Sequence, residues 1–406
     1  RVDTVKHVQL PFWQEFVPAV MAHAKDQGIP NFHMFGEVYD SDPAFLSTFT
    51  TTGKLPAILD FGFQGNSGAV FSDGGSPEKL EKLFTDDDYY NDHDSQADIL
   101  LSFIGNHDMG RYGFFLNTNL PEASDAEKLQ RSIVTHALMY FSRGIPVVYY
   151  GDEQGFTGDG NDMAAREDMM PSKVDSFNDN KLLGTDVTTA VENFDRSHPI
   201  YISLKEFAQT YQEHKALRRG VHHHRHADKE SGIYAFSRVD LKEKVEYLLA
   251  FNSSTEPKSV TLVATSEGYS AIAGEIQDVV VVDGNVTLKV PALDYVIYKA
   301  NSTIKSSESL IVSLKDVKID ERSKNFIAVD FDVAGAGELT IPMYSVTTEY
   351  KAVSGEYVLA SVDYTYPYRS KIRADAIVHG LNGEVRVTVD NLAGNVQSTV
   401  FSLSKQ

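Results

Sequence analysis

Four short apolar runs, each with a glycine, an amide or an acid at or near its end, constrain this chain more than any other feature. They are NFHMFGEV (31–38), PAILDFGF (56–63), ILLSFIGNHD (99–108) and GIPVVYYGDE (144–153). Their apolar residues follow one another, where a half-solvated strand would alternate. Such runs suit strands buried on both faces, as in parallel sheets. Helical patterns lie between them. Phe12, Phe16, Val20 and Ala24 form one stripe, with a kink expected at Pro18 and a C-cap at Gly28. Ser124 and Glu127 read as a capping box before the stripe Leu129, Ile133, Ala137 and Phe141, which Gly144 stops. A further helix is predicted from Tyr201 to Leu217. Strands that alternate with helices predict a β/α fold around a parallel sheet.

The pattern changes after Gly220. SGIYAFSRV, KVEYLLAFN, KSVTLVA and VVVVDGNVTLKV are strand-like, and the last contains an Asp-Gly-Asn turn. They predict a small antiparallel β domain over 220–300, after a β/α domain over 1–219. NSTIKSSES (301–309) reads as a polar linker. FIAVDFDV, SGEYVLASV, KIRADAIV and EVRVTVDN then predict an immunoglobulin-like β-sandwich within 301–406.

Charge excludes some functions. The formal net charge is −20 over 406 residues. Neutralising phosphates requires clustered Lys and Arg, so a nucleic-acid partner is not expected. No apolar run approaches the roughly 18 residues of a membrane span. The chain has no Cys, which excludes disulfides and thiolate chemistry. Nothing in the sequence fixes an oligomeric state.

In a β/α barrel, chemistry sits at the C-terminal ends of the strands. Asp3, Glu37 and Asp108 occupy such places. A lone acid there is often an N-cap. Three together either bind a hard cation or act as acid and nucleophile on an ether such as a glycosidic bond.

The motifs themselves carry a resemblance. RVDTVKH (1–7) resembles the nucleophile motif of the α-amylase family of glycoside hydrolases, family 13. FGEV resembles its general-acid motif and FIGNHD the motif of its third acid, in the family's order. GIPVVYYGDEQG resembles its last barrel strand, and HKALRRG the end of its last helix. The resemblance implies the later half of a (β/α)8 barrel, with the antiparallel domain behind it. It implies a retaining hydrolase of α-1,4-glucosidic bonds in starch-like α-glucans. Asp3 would be the nucleophile, Glu37 the acid/base and Asp108 the transition-state stabiliser. Arg1 would pair with the nucleophile, since a guanidinium favours its ionised form. His107 would donate to sugar hydroxyls. Lys6 and His7 would sit toward the leaving group, and the main-chain carbonyl of His7 would be one ligand of a structural calcium. Retention puts the two working carboxyls about 5–5.5 Å apart.

Tyr39 and Tyr112 are the aromatic candidates for stacking on sugar, ahead of Phe114, Tyr149 and Tyr150. The loop from Asp159 to Asp168 is expected to face substrate, FTDDDYYNDHD to be a solvated acidic loop, and HHHRH (222–226) a solvated linker. The last hundred residues are expected to be a spacer, or to bind starch through Tyr364, Tyr366 and Tyr368.

Rival activities are cyclomaltodextrin hydrolysis, debranching, glucosyl transfer, or carbohydrate binding without catalysis. The family's early Asn-His motif and inserted domain have no counterpart here. The expectation is therefore a fragment that begins at the nucleophile motif, carries at most part of the calcium site, and is poorly stable or inactive alone. A polymer substrate implies an extracellular or periplasmic enzyme.

Overall fold

The computed structural model describes residues 1–274, 277–305, 309–336, 343–353, 355–374 and 382–403. Parts of the predicted linker (306–308) and of the segment KIRADAIV (375–378), together with residue 354, lie outside the described residues.

Strands β1 (Phe35–Gly36), β2 (Ala57–Asp60), β3 (Leu101–Ser102) and β4 (Ile145–Pro146) form one sheet in chain order. Every neighbouring pair is parallel: Phe35 opposes Ala57, Leu59 opposes Leu101, and Leu101 opposes Ile145. Val2 extends the sheet as a parallel bridge to Gly36. The strands are two to four residues long. Each apolar run continues past its strand into the loop that carries its polar end. Gly144 is required before β4: its φ is +106°, and a Cβ there would lie 2.2 Å from Ser102 Oγ.

The helices are α1 (Leu10–Asp26), α2 (Pro43–Thr51), α3 (Phe61–Phe71), α4 (Glu78–Thr85), α5 (Tyr112–Asn119), α6 (Asp125–Phe141), α7 (Asp175–Asn178), α8 (Pro199–Glu213) and α9 (Lys215–Arg219). On α1 the buried residues are Trp13, Val17 and Ala24, while Phe12 and Phe16 are exposed and stack on each other. The expected stripe is therefore rotated by one position. Trp13 Nε1–H donates to the Val5 carbonyl at 3.1 Å, which fixes the face that turns inward. The N-cap half of the capping box forms: Ser124 Oγ accepts from the Glu127 N–H at 3.1 Å, while the Glu127 carboxylate turns to Arg131. The predicted 201–217 helix breaks at His214, which is extended between α8 and α9.

The antiparallel unit has β5 (Val221–Ala227), β6 (Ile233–Val239), β7 (Glu246–Asn252), β8 (Lys258–Val263), β9 (Gly268–Ala273), β10 (Val279–Val280), β11 (Asn285–Val290) and β12 (Tyr295–Ala300). Its main sheet runs β10-β9-β12-β7-β6-β5, with β11-β8 as a second layer. Phe236, Leu249, Phe251 and Ile297 share one core with Phe63, Phe84, Leu138 and Phe207 of the helical layer. Burying each such side chain stabilises the seam by about 1.5–3 kcal/mol. HHHRH is not a solvated linker. It is β5, with His222 stacked between Phe84 and Phe236 at 4.0 and 4.1 Å.

The last unit has β13 (Ser309–Ile319), β14 (Phe326–Ala336), β15 (Ser345–Ala352), β16 (Val358–Asp363), β17 (Arg369–Arg373), β18 (Gly383–Asp390) and β19 (Val396–Leu403). Two antiparallel sheets, β13-β14-β17 and β16-β15-β18-β19, enclose Val329, Phe331, Val346, Val385, Val387 and Tyr368.

This unit docks on the segment expected to be a solvated acidic loop. Asp86 is held by Arg322 at 2.6 Å and Arg369 at 2.9 Å, and Asp88 by Arg369 at 2.7 Å. Tyr89 Oη–H donates to Asp320 Oδ1 at 2.9 Å. Asp87 chelates Arg143 within the first unit. Asp86 and Asp88 are buried because the sandwich brings Arg322 and Arg369 to them, while His93 and Asp94 at the end of the segment stay exposed.

Candidate active site

Because the strands are parallel, the loops that follow them emerge on one side of the sheet. Asp3 follows the Val2 bridge, Glu37 follows β1, and Asp108 lies six residues after the end of β3. Arg1 joins them. Its guanidinium is 2.7 Å from Asp3 Oδ1, 3.4 Å from Asp108 Oδ2 and 3.0 Å from His107 Nε2. His107 Nε2 is also 3.1 Å from Asp108 Oδ2.

Glu37 enters through Thr4. The Thr4 N–H donates to Glu37 Oε2 at 2.7 Å, and the Val5 N–H to the Glu37 carbonyl at 3.0 Å. Thr4 sits at φ 53°, ψ 33°. A β-branched residue in this left-handed region is strained by about 1–3 kcal/mol. The turn thereby bends the chain at Asp3 and brings its N–H to Glu37.

Lys6 Nζ donates to the Tyr39 carbonyl and lies 5.2 Å from the centre of its ring. Tyr39 is 54% exposed, edge-on to buried Phe61, so its open face can meet a sugar. His7 is exposed, and its N–H donates to the Thr4 carbonyl. Tyr112 is not a substrate contact. It is 1% exposed in the core beneath the site, with its hydroxyl 2.9 Å from Thr135 Oγ1. It opens α5, and the helix turns its ring inward toward α6. Burial raises its phenol well above the usual range, with the Thr135 hydrogen bond opposing.

Sequence reasoning missed Arg166. Its Nη2 lies 3.2 Å from Asp108 Oδ1 and 2.5 Å from Asp162 Oδ1, and its Nε–H donates to the His107 carbonyl at 3.2 Å. Asp108 is therefore held between two guanidiniums, Arg1 on one oxygen and Arg166 on the other. The loop that carries Arg166 is fixed by the next residue. Glu167 is fully buried and pairs with fully buried Arg111, whose guanidinium also meets Asp152 and lies over the rings of Tyr149, Tyr150 and Phe156. Burial pushes Asp152 up to about 7, with Arg111 opposing. The available signal was a lone Arg in an acid-rich loop after the last parallel strand.

The main-chain carbonyl of His7 offers one oxygen, short of a calcium shell on its own. Calcium takes six to eight oxygens, and among the described residues the close trio of carboxylate and imidazole ligands is Asp92, His93 and Asp94, in another segment.

The arrangement presents two exposed carboxylates, one half-buried carboxylate, an imidazole and two guanidiniums on one open face. It can attack, protonate and stabilise positive charge.

The family model for the α-amylase catalytic domain matches residues 3–229. An α-amylase of Streptomyces lividans is 39% identical over 352 residues, which is 86% of this chain and 38% of that protein. A beta/alpha-amylase of Paenibacillus polymyxa is 29% identical over 64% of this chain and 18% of its own length. Among solved structures, an Anoxybacillus α-amylase superposes with a TM-score of 0.58 at 22% identity, over 75% of this chain and 59% of that one. A gamma-cyclodextrin glucanotransferase from an alkalophilic Bacillus clarkii covers the whole chain and 66% of its own, with a TM-score of 0.55 at 16% identity. The chain thus spans under two fifths of the length of these two amylase relatives. Its parallel β/α unit, its ordered acids and the matched family model make this chain a member of the α-amylase family.

Proposed function

We propose that this chain carries the reacting carboxylates of a retaining α-glucan hydrolase. The observation that supports the reading is the single cluster of Asp3, Glu37 and Asp108, joined through Arg1 and the Thr4 N–H. In the first step an Asp3 oxygen bonds to the anomeric carbon while the glycosidic C–O bond breaks. Glu37 gives its proton to the departing oxygen. In the second step water, deprotonated by Glu37, displaces Asp3. The product keeps its anomeric configuration and both carboxyls return to their starting states. Asp108 offsets positive charge on the sugar in both transition states. Arg1 pairs with Asp3 at 2.7 Å and orients it, and Tyr39 supplies a stacking face at the rim.

The same reading extends to finer points. The parallel unit would be the later half of a (β/α)8 barrel, ending at residue 219. The β domain would run over 220–300, and an immunoglobulin-like sandwich would lie within 301–406. The substrate would be a starch-like α-1,4-glucan, and the enzyme extracellular or periplasmic.

The test is a fluorinated glucosyl trapping reagent applied to the full-length protein. Asp3 should carry the label, and Glu37→Gln should abolish turnover while retaining oligosaccharide binding. A label on another residue, or unchanged turnover in Glu37→Gln, overturns the assignment. Glucosyl transfer is the second reading, favoured by the likeness to the cyclodextrin glucanotransferase across the whole chain. Cyclic products from amylose would select it.

A further inference from the structure

Two loops meet at Asp108. One follows β3 and runs through His107, Asp108 and Gly110 to Arg111. The other follows β4 and runs through Gly160, Asp162 and Arg166 to Glu167. The Asp162 N–H donates to the Asp108 carbonyl at 3.1 Å. Arg166 spans Asp108 Oδ1 and the His107 carbonyl, each at 3.2 Å. Gly110 has φ +115°, and a Cβ there would lie 3.0 Å from the Gly160 carbonyl oxygen, so the loops pass too closely for a larger residue. A further tie is the pair of Arg111 with Glu167, both fully buried. Arg111 is three residues from Asp108, and Glu167 is next to Arg166.

Charge balance does not explain Glu167. Arg111 already has Asp152 at 3.2 Å, donates to the Tyr150 carbonyl at 2.7 Å and lies over three rings. Glu167 sets a second buried carboxylate against a single guanidinium. Taking a carboxylate out of water costs several kcal/mol, and apolar side chains of similar volume often replace buried ions with no loss of stability. What a carboxylate adds is direction. The Arg111 Nε–H donates to Glu167 Oε2 and holds that side chain in one orientation, where an apolar residue could take several. On the other side of Arg166, the Tyr149 Oη–H donates to the Ala165 carbonyl at 3.1 Å. Arg166 is thus braced at both of its neighbours, and its guanidinium leaves the loop from a fixed point.

We propose that Glu167 is a positioning residue for catalysis: paired with Arg111, it sets the register of the two loops and so aims Arg166 at Asp108. The inference rests on the reading of Asp108 as the transition-state stabiliser. It adds a residue outside the reacting groups on which the orientation of that acid depends. Glu167 is buried out of reach of a substrate and acts through Arg166.

The experiment compares Glu167→Gln and Glu167→Met in the full-length protein, alone and combined with Glu37→Gln. Both leave Arg111 balanced by Asp152, so both should fold with a thermal midpoint close to that of the parent. Glu167→Gln keeps an acceptor for the Arg111 Nε–H and should lower kcat on amylose about fivefold, while Glu167→Met keeps none and should lower it about 30-fold, within the roughly hundredfold that a misplacement of about 1 Å can cost. Oligosaccharide affinity in the Glu37→Gln background should be unchanged. A crystal structure of Glu167→Met should show the Arg166–Asp108 contact lengthened beyond 3.2 Å. The proposal is overturned if Glu167→Met keeps the parental kcat, or if its 159–168 loop superposes on that of the parent. It is equally overturned if kcat and thermal midpoint fall together in both variants, which makes the pair structural only. Should Glu167→Met fail to fold, a parental kcat in Glu167→Gln overturns it. Asp108→Asn separates the two levels. If Asp108→Asn is inactive while Glu167→Met is fully active, only this inference falls. If Asp108→Asn turns over amylose like the parent, the role of Asp108 falls and this inference with it.

Discussion

Asp86, Asp87 and Asp88 are each paired with an arginine and shielded from solvent, whereas Asp3 and Asp108 are open toward it and Glu37 is half-buried beside them. In the first group Asp86 and Asp88 join the first unit to the sandwich, and Asp87 pairs with Arg143 inside the first unit. Asp86 and Asp88 are 4% and 1% exposed. Burial pushes Asp87 and Asp88 up to about 6, although Arg143 and Arg369 oppose it. In the second group the Asp3 side chain is 70% exposed and that of Asp108 48%. The same chemistry therefore serves opposite ends. A carboxylate whose hydrogen-bond capacity is spent on arginine is a structural fastening. A carboxylate paired with guanidiniums yet still exposed to solvent, such as Asp3 or Asp108, can still meet a substrate.

The largest expected effect breaks this comparison in one step. Asp3→Asn in the full-length protein should lower turnover at least about a thousandfold if Asp3 is the nucleophile as proposed, since a nucleophile and its partners act as a unit. Its thermal midpoint should stay near that of the parent, because an exposed pair contributes only about 0–1 kcal/mol. Arg369→Ala should do the reverse. It leaves Asp88 buried without its guanidinium, which costs about 3–5 kcal/mol. Denaturant unfolding and specific activity, measured together on both variants, check the exchange. A stable Arg369→Ala protein would show that the sandwich is not fastened through Asp86 and Asp88.

The next effect concerns pH. His223 is fully buried on β5, and its Nδ1–H donates to the Tyr364 carbonyl of the sandwich at 2.8 Å. Burial lowers it to about 4, with Arg225 and Arg238 adding to the shift and the hydrogen bond opposing. The folded state thus binds this proton less readily than the unfolded chain, whose histidine titrates near 6.5. Its stabilising contribution is complete above about pH 6.5 and is lost as pH falls toward 4. Asp87 and Asp88, raised to about 6, work against it: their contribution is largest below pH 4 and fades as pH rises through 6. The difference between parent and His223→Gln isolates the histidine. Between pH 6.5 and 4 the parent should lose roughly 3 kcal/mol more than the variant, at 1.36 kcal/mol per unit of pKa. Parallel stability curves would remove His223 from the junction's acid response.

How far the sequence carried is clear from individual residues. The parallel strands were legible because double-sided burial leaves an unbroken apolar run, and the acids at their ends because local order fixes which loop each follows. The capping box at Ser124 and Glu127 is likewise a local interaction. Burial against distant segments was not legible. FTDDDYYNDHD looks solvated until Arg322 and Arg369, more than 230 residues later, meet it. HHHRH looks like a linker until Phe84 and Phe236 enclose His222. Tyr112 and Tyr39 both lie near motifs, and only the direction in which α5 packs puts one in the core. Of the three late tyrosines, Tyr368 is in the core of the sandwich and Tyr366 is 65% exposed, so no three-ring starch platform forms.

The smallest effect sharpens the comparison at its finest point, the second guanidinium on Asp108. Arg166 and Asp108 have side chains 44% and 48% exposed. Removing that pair should change stability by no more than about 0.5–1 kcal/mol. Its catalytic effect should be larger, because Arg166 ties the 159–168 loop to Asp108 and to the His107 carbonyl, braced within the loop by Asp162. Arg166→Ala frees one Asp108 oxygen and leaves Arg1 on the other. The orientation of Asp108 toward the sugar then relies on one ion pair in place of two. A loss of about 10- to 100-fold in kcat/KM is expected, or about 1.4–2.7 kcal/mol of transition-state binding. Arg166→Lys should recover only part of it, since an ammonium cannot span a carboxylate and a carbonyl in the same plane. If kcat falls while oligosaccharide affinity in the Glu37→Gln background is unchanged, Arg166 acts by positioning Asp108. If affinity falls by the same factor as kcat/KM, Arg166 binds the sugar directly, and Asp108 keeps its orientation through Arg1 alone.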